Sequence, residues 1–364
     1  MARFRMSARR VGRAMTTPAR AFRDKWRGWS WWRRALLALG LAVAVPVAAL
    51  GSVFVAIRLH YVGDPSPEAR TRGRDAVWLG HAWVDGRKTE ADVAALARQL
   101  AGTGVRDLYV HTGPLEHDGS LPPAVHPRAR WFTDTVHRAL PQVRLQGWLG
   151  DEVKPERDAL DLEDAPTRER VTASARQVLD QGFDGVHFDM EPIRPGSAGW
   201  LTLLDQVRAV TAGHGAKLSV AAPQIDPLPG LHTAGILLTG HGKWWDQAYF
   251  TETARRVDQI AVMTYDSSMP TEPLFGGYNA LQTELALKAT PADVDLLMGL
   301  PFYWDDKWGH WGDAETVAAA VRGVRLGLDR QDRRRQNFGV ALYVDFAATP
   351  ENWAAYREGW VDVS

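Results

Sequence analysis

The sequence predicts an α/β protein, a (β/α)8 TIM barrel preceded by a single N-terminal transmembrane helix. Three observations carry that prediction. Residues 35–57, ALLALGLAVAVPVAALGSVFVAI, hold 23 positions without a charge, against the ~20 a helix needs to cross a bilayer. From about Asp75 onward, eight strand-like runs alternate with helix-like stretches, the pattern of a parallel sheet with crossover helices. The polar residues of those runs gather at their C-terminal ends, where barrels of this kind place their chemistry.

Composition narrows the classes further. With 364 residues, 45% hydrophobic, and 16 Trp, the chain can build one large catalytic domain or two ordinary ones. It has no cysteine, which excludes disulfides, thiolate metal sites and a cysteine nucleophile. The net charge of zero averages two dissimilar parts. Residues 1–34 carry eleven Arg or Lys against one acid, Asp24, leaving 32 basic and 42 acidic residues for 35–364, a net of −10. That acidic remainder gives no electrostatic reason to expect nucleic acid as a partner.

Taken in order, residues 1–34 read as a basic cytoplasmic segment and 35–57 as a membrane anchor. Trp29, Trp31 and Trp32 stand where an interfacial aromatic belt would lie, and the basic run before them places the N-terminus in the cytoplasm. Pro46 is tolerable in a membrane helix. The alternative is a secreted protein whose signal peptide is cleaved near Ala42-Val43-Ala44, but the basic region is long and the apolar run exceeds a usual signal core. The expectation is a single-pass plasma-membrane protein whose main domain faces away from the cytoplasm. Residues 58–74, with Asp64-Pro65-Ser66-Pro67 and several charges, read as a linker. The barrel domain follows at 75–364.

The eight predicted strands are Ala76–Val84, Val105–His111, Arg144–Leu149, Gly185–Glu191, Lys217–Pro223, Gln259–Tyr265, Asp295–Phe302 and Phe338–Asp345. Helical signals fill the gaps. Thr89 is followed three places on by Asp92, a capping-box-like start, with Val93, Leu96 and Leu100 on one face. Pro166-Thr167 opens a stretch with Val171, Ala175, Val178 and Leu179, and Val317, Val321, Val324 and Leu328 recur at helical spacing. Pro350 precedes Trp353 and Tyr356. An open doubly wound sheet would carry a Gly-rich phosphate loop after its first strand, and Gly80-His81-Ala82-Trp83-Val84-Asp85-Gly86 lacks that spacing.

The fourth strand carries the densest chemistry. In an extended strand His187, Asp189 and Glu191 share one face while Val186, Phe188 and Met190 share the other. Three polar side chains on an apolar strand are costly to bury unless they serve one another or a ligand. A cluster that merely fixes the core is the structural alternative, and its place at the strand's C-terminal end favours function. The other strand ends supply Trp83 and Asp85, His111, Trp148 and Asp151, Gln224 and Asp226, Tyr265 and Asp266, Tyr303 and Trp304, Tyr343 and Asp345. Acids, amides and aromatic rings suit a carbohydrate, whose hydroxyls take hydrogen bonds and whose C–H faces lie on rings. Any one of the rings alone would read as barrel filling. Asp266, Tyr343, Trp83, Trp148, Gln224, Tyr303, Trp304 and His187 form the candidate substrate-binding set. Trp308 and Trp311 are outer sugar contacts or loop packing.

Glu191 is the candidate general acid, a role that needs a carboxyl kept protonated beside the leaving oxygen. Asp189, two residues earlier on the same face, raises its pKa by repulsion or shares a proton with it. A two-carboxylate glycosidase needs its second group across the scissile bond. Asp189 is poorly placed for that, and Asp226 or Asp266 would serve.

These residues resemble glycoside hydrolase family 18, the chitinase and endo-β-N-acetylglucosaminidase family. Asp184-Gly185-Val186-His187-Phe188-Asp189-Met190-Glu191 matches that family's Asp-Gly-x-Asp-x-Asp-x-Glu signature, with His187 in place of the middle aspartate. Met263-Thr264-Tyr265-Asp266 is similar to its Met-x-Tyr-Asp, Gly299-Leu300-Pro301-Phe302-Tyr303 to its Gly-x-Pro-Phe-Tyr, and Gly339-Val340-Ala341-Leu342-Tyr343 to its eighth strand, with Tyr343 where a Trp often floors the sugar site. The third strand, Leu145 to Asp151, lacks the usual Ser-x-Gly-Gly, so the resemblance is to a divergent member. It implies catalytic roles for Glu191, Asp189 and Tyr265 in a substrate-assisted reaction. Glu191 would protonate the glycosidic oxygen while the substrate's N-acetyl carbonyl attacks the anomeric carbon. Asp189 would orient the acetamide, Tyr265 would bond its oxygen, and Asp266 would contact the same sugar. No cofactor or metal is implied.

Two other readings compete. A barrel that binds sugar without turnover would normally lack Asp189 or Glu191, and both are present. A metal hydrolase built on His187, Asp189 and Glu191, with His111, lacks a His-rich ligand pattern. Location and family together point to an amino-sugar polysaccharide or glycan as partner: peptidoglycan, a chitin-like chain or a glycan stem. No insertion large enough for the family's additional α+β domain lies between Met298 and Phe338, so a shallow groove is expected.

Overall fold

Eight parallel strands close into a barrel in simple chain order. They are β1 (Asp75–Leu79), β2 (Val105–Pro114), β3 (Arg144–Glu152), β4 (Gly185–Glu191), β5 (Lys217–Ala222), β6 (Gln259–Val262), β7 (Asp295–Pro301) and β8 (Phe338–Tyr343). Closure comes from β1, which pairs with β2 on one side and β8 on the other. The computed structural model describes residues 30–240, 242–307 and 309–363, and the chain divides into two compact units, Met1–Val55 and Ala56–Ser364. The (β/α)8 barrel expected from sequence is therefore the observed fold, and β4 has the predicted bounds.

The first strand differs from its prediction. It leaves the sheet at Leu79, and His81–Trp83 forms a 3-10 turn. Asp345, just past β8, holds that turn: its Oδ1 accepts from the Gly80 N–H at 2.7 Å and its Oδ2 from the Trp83 indole at 2.7 Å. A carboxylate that collects two donors from a neighbouring loop pulls the chain out of the ladder.

The surrounding helices start where the sequence placed caps. Helix α2 (Glu90–Leu100) opens with the Thr89–Asp92 capping box and buries Val93, Leu96 and Leu100. Helices α3 (Ala129–Ala139), α4 (Ala165–Asp180) and α5 (Ala198–Gly213) follow, α4 capped by Asp164 and α5 by Ser197. Between β5 and β6 the chain makes two short helices, α6 (Leu231–Thr239) and α7 (Gln247–Ala254), with a small ladder of Gln224–Ile225 against Trp244–Trp245. Helices α8 (Glu272–Ala289) and α9 (Val317–Asp332) pack closely because Gly323 meets Gly276 without side chains between them. A Cβ on Gly323 would stand 2.1 Å from the Gly276 carbonyl oxygen. A hairpin of Asp306–Lys307 and His310–Trp311 precedes α9, and α10 (Pro350–Tyr356) ends the wrap.

Helix α1 (Trp31–Leu59) covers the expected anchor and extends it at both ends. At 1.5 Å per residue its 29 residues measure about 44 Å. It is long and apolar enough to cross a membrane, and Leu36, Leu41, Val45, Val47 and Val55 are exposed. Trp29 and most of the basic segment lie outside the described residues.

The stretch 58–74 is not the free linker that its composition implied. From Ala56 onward the chain belongs to the barrel unit. Ile57 is buried, and its carbonyl lies 2.1 Å from where a Cβ on Gly277 would be; the Tyr61 ring covers Gly276 in the same way. The Arg330 guanidinium donates to the carbonyls of His60 and Val62, Arg322 to Gly63, and Arg325 to Ser66 and Ala69. An irregular segment can lie on a surface only if its backbone acceptors find donors. The arginines of α9 supply them, and they are too remote in sequence to be noticed from the segment itself.

Inside the barrel the side chains alternate as the register demands. Ala76, Trp78, Tyr109, Trp148, Ala221, Ala261, Leu297 and Ala341 fill its interior, while the aliphatic majority packs outward under the helices. At the N-terminal end Asp75 is fully buried and accepts from Thr71, Tyr356, Trp360 and the Val340 N–H. That end of a barrel serves stability.

Candidate active site

The site rises from a polar floor. Gln146 and Gln259 donate to Asp107, Tyr109 donates to Gln259, and Arg144 clamps Asp107 through two bonds of 2.8 and 2.7 Å. Gln146 accepts from Ser219 at 2.8 Å, and Ser219 faces His187 Nδ1 at 2.7 Å. The other imidazole nitrogen, Nε2, accepts from the Trp78 indole at 3.1 Å. Because an indole N–H only donates, Nε2 carries the lone pair and Nδ1 the proton. Burial holds the imidazole well below its ordinary pKa, so His187 is neutral. It stacks on Tyr109, ring centroids 3.7 Å apart.

This corrects the expectation for His187. It neither binds substrate nor donates to Asp189, and it is no metal ligand with Asp189 and Glu191, because both its nitrogens are engaged. It takes the middle aspartate's position as part of the barrel floor.

Above it, Asp189 and Glu191 follow at every second residue of β4 and point into the mouth. Burial raises the Asp189 carboxyl, and the Trp148 indole, as a hydrogen-bond donor, works against the rise. Asp189 Oδ1 is buried without a partner. Glu191 is exposed, but the surface it exposes lines the cavity. Burial by the surrounding wall pushes its carboxyl up to about 8, and the charges of Asp189 and Asp266 act in the same direction.

Aromatic rings form the opposite side. Tyr265 and Tyr343 stack at 5.0 Å, and Tyr303 meets both edge-on at 6.1 and 6.0 Å. Burial raises all three phenols, Tyr343 to about 12, so each stays a neutral hydroxyl able to donate. Trp148 completes the ring against Tyr343 at 6.3 Å. Gln224 bonds the Tyr265 carbonyl at 2.9 Å and accepts from Tyr278, whose hydroxyl accepts from the Trp244 indole. The resulting cavity of about 460 Å³ is lined by Glu191, Gln224, Trp244, Met263, Tyr265 and Asp266 among others.

Asp266 sits at the rim with φ of 51°. Its Oδ1 accepts from the Tyr303 hydroxyl at 2.9 Å and faces His310 Nδ1 at 2.8 Å, and Glu315 Oε2 faces the same Nδ1 at 3.2 Å. Among the described residues, these three bring ligand atoms within 4.8 Å of one another. Within the group, Glu315 Oε2 and His310 Nε2 are buried without a hydrogen-bond partner.

Of the sequence-chosen residues, the fold brings together Glu191, Asp189, Tyr265, Asp266, Tyr343, Tyr303, Trp148 and Gln224. Trp83 is not among them. The 3-10 turn carries it outside the barrel, where it packs on Phe132 at 5.7 Å. Trp304 is 66% exposed and lies on Gly312 outside the cavity lining, and Trp311 is exposed on the hairpin. Trp308 is outside the described residues.

Strand-end acids apart from these are engaged locally. Asp85 pairs with Arg87, Asp151 with His117, and Asp226 with His232. Asp226, buried under its own loop, is thereby removed as a second carboxylate. His111 lies against Trp148 at 4.7 Å, its imidazole lowered by burial to about 4. Lys243, Trp244, His310 and Glu315 were not foreseen, since they lie in loops beyond β5 and β7, where no strand pattern fixes which way a side chain points.

No protein-family model matches the sequence, and no curated protein aligns with it. Solved structures do match. The spore cortex-lytic enzyme SleL of Bacillus cereus shares 14% identity over 79% of this chain and 74% of its own, with a TM-score of 0.55. SleL of Bacillus megaterium QM B1551 shares 15% over 80% and 75%, also at 0.55. A chitinase of Chromobacterium violaceum shares 14% over 78% and 98%, at 0.53. At these identities the likeness is one of fold: the chain is built on the same barrel as these proteins.

Proposed function

We propose that the protein is a glycoside hydrolase of the family 18 type, cleaving a glycan that contains N-acetylhexosamine by acid and substrate-assisted catalysis with retention of configuration. The observation that carries this reading is the β4 pair. Burial and the charges of Asp189 and Asp266 push the Glu191 carboxyl up to about 8, and beside it Asp189 Oδ1 is a buried acceptor without a donor.

A buried unpartnered carboxylate oxygen is a costly arrangement in the free protein. The N–H of an acetamide would supply the missing donor and hold the carbonyl oxygen under the anomeric carbon. Tyr265, a neutral hydroxyl, would donate to that oxygen as it attacks. Glu191 would protonate the leaving oxygen as the bond breaks, then take a proton from the water that opens the oxazolinium ion. Asp189 offsets the positive charge of that ion, Asp266 bonds the same sugar, and Tyr343 lies beneath it. A two-carboxylate route is less supported because Asp226 is engaged in its own loop.

A non-catalytic sugar-binding barrel is less supported, because Asp189 and Glu191 are both present at the end of β4. The names of the structural neighbours, chitinase and cortex-lytic enzyme, favour an amino-sugar polymer. Helix α1 favours a membrane-anchored enzyme acting outside the cytoplasm on cell-envelope glycan such as peptidoglycan. The test is turnover by the full chain in detergent on peptidoglycan, chitin oligomers and chromogenic N-acetylglucosaminides, beside Glu191→Gln. Cleavage lost in the variant supports the reading. Binding without cleavage on every substrate refutes it.

A further inference from the structure

Behind Asp266 the structure holds a second layer of buried ionisable groups that the proposed reaction does not use. His310, from the hairpin before α9, and Glu315, at the end of the same loop, are both buried. Nδ1 of His310 faces Asp266 Oδ1 at 2.8 Å and Glu315 Oε2 at 3.2 Å. The remaining oxygen of Glu315 accepts from the Ser267 N–H at 2.9 Å and the Ser267 hydroxyl at 3.0 Å. Both carboxylates thus face one imidazole nitrogen, and the glutamate is tied through its other oxygen to Ser267, the residue next to Asp266. Tyr303 stacks on His310 at 4.9 Å and donates to Asp266.

We infer that His310 and Glu315 are positioning residues for the reaction, holding the Asp266 carboxylate in place and aimed at the substrate sugar. This rests on the function proposed above. Two features argue for it. Asp266 stands in the left-handed region at φ 51°, a conformation that its surroundings must enforce. His310 Nδ1 lies 2.8 Å from its carboxylate, and Glu315, tied to Ser267, lies 3.2 Å from the same nitrogen, so the imidazole is held from behind where it meets Asp266.

Other charges face this group. Lys243 and Lys307 act on Asp266 and Glu315, Glu191 faces Asp266, and Asp305, paired with Lys307, faces His310. Burial raises the Glu315 carboxyl, and His310 opposes that rise.

The test compares wild type, His310→Phe, His310→Asn and Glu315→Gln as full chains. Phenylalanine keeps the stack on Tyr303 and removes the donor; asparagine restores an N–H near the Nδ1 position. The expected result for His310→Phe is a fall in kcat/KM of about ten- to a hundredfold, carried by KM more than by kcat. His310→Asn should recover part of it. Equal loss in the Phe and Asn variants, falling on kcat alone, would make the pair merely structural and overturn the inference.

A melting temperature raised by calcium or zinc in wild type but not in His310→Phe would also overturn it, since the three residues would then be ligands. Should wild type cleave nothing, the functional reading fails by itself, and the inference is judged by 15N NMR of the imidazole. A protonated Nδ1 that shifts in Glu315→Gln sustains it, and a protonated Nε2 refutes it.

Discussion

At the scale of single residues, the account turns on one carboxyl whose proton is held by its surroundings. Glu191 is raised by burial first and by Asp189 and Asp266 second. The folded protein therefore binds a proton that the unfolded chain releases near pH 4.5. By linkage, stability falls as pH rises from that value toward about 8, where folded Glu191 ionises. Glu191→Gln is expected to melt higher than wild type at pH 8 and level with it at pH 4, while cleavage falls by at least about a hundredfold. Thermal melts at the two pH values check the first claim. His187 makes an opposite prediction: burial holds it neutral, while the unfolded imidazole takes a proton below about pH 6.5, so its contribution to stability falls as pH drops below that value. Truncation to alanine leaves the Trp78 and Ser219 partners unsatisfied and opens a cavity under Tyr109, costing about 3 kcal/mol in urea unfolding. The face shared by Asp189 and Glu191 was legible in the sequence from strand alternation alone. The role of His187 was not, since its partners come from β1, β2 and β5 and their approach is a property of the closed barrel.

At the scale of elements, what the sequence concealed was interaction between segments far apart in the chain. The alternation of runs gave eight strands and their order, because burial on both faces writes a continuous apolar signal. It could not give the 3-10 turn that displaces Trp83, since the cause is Asp345, about 260 residues away. Nor could it reveal that residues 56–74 are docked, because the binding groups are Gly276, Gly277 and the arginines of α9. A soluble fragment beginning at residue 64 would remove Tyr61 from Gly276 and strip the acceptors from Arg330. Such a fragment is expected to melt several degrees below one beginning at Ala56, and Arg330→Ala in the longer fragment should cost about 1–3 kcal/mol for two charge-assisted bonds. Calorimetry on the three proteins decides this. Equal stability would return the segment to the status of a tether.

At the scale of the whole molecule, the chain combines a helix long and apolar enough to cross a bilayer with a barrel whose mouth holds the Asp189–Glu191 pair and the stacked Tyr265 and Tyr343. If α1 anchors the protein, full-length chain expressed in bacteria should stay with membranes after carbonate extraction and migrate at its uncleaved mass. Release as a shorter soluble species would favour the signal-peptide alternative. The central claim is the participation of the substrate's own acetamide, and the stereochemistry of the first product reports on it most directly. We would follow cleavage of a chitin oligomer by proton NMR at early times, with and without a thiazoline analogue of the oxazolinium ion. The account predicts product released with the β configuration of the substrate, and turnover blocked by the analogue. Release of the α anomer, or indifference to the analogue, would contradict it and return attention to Asp266 as a second carboxylate.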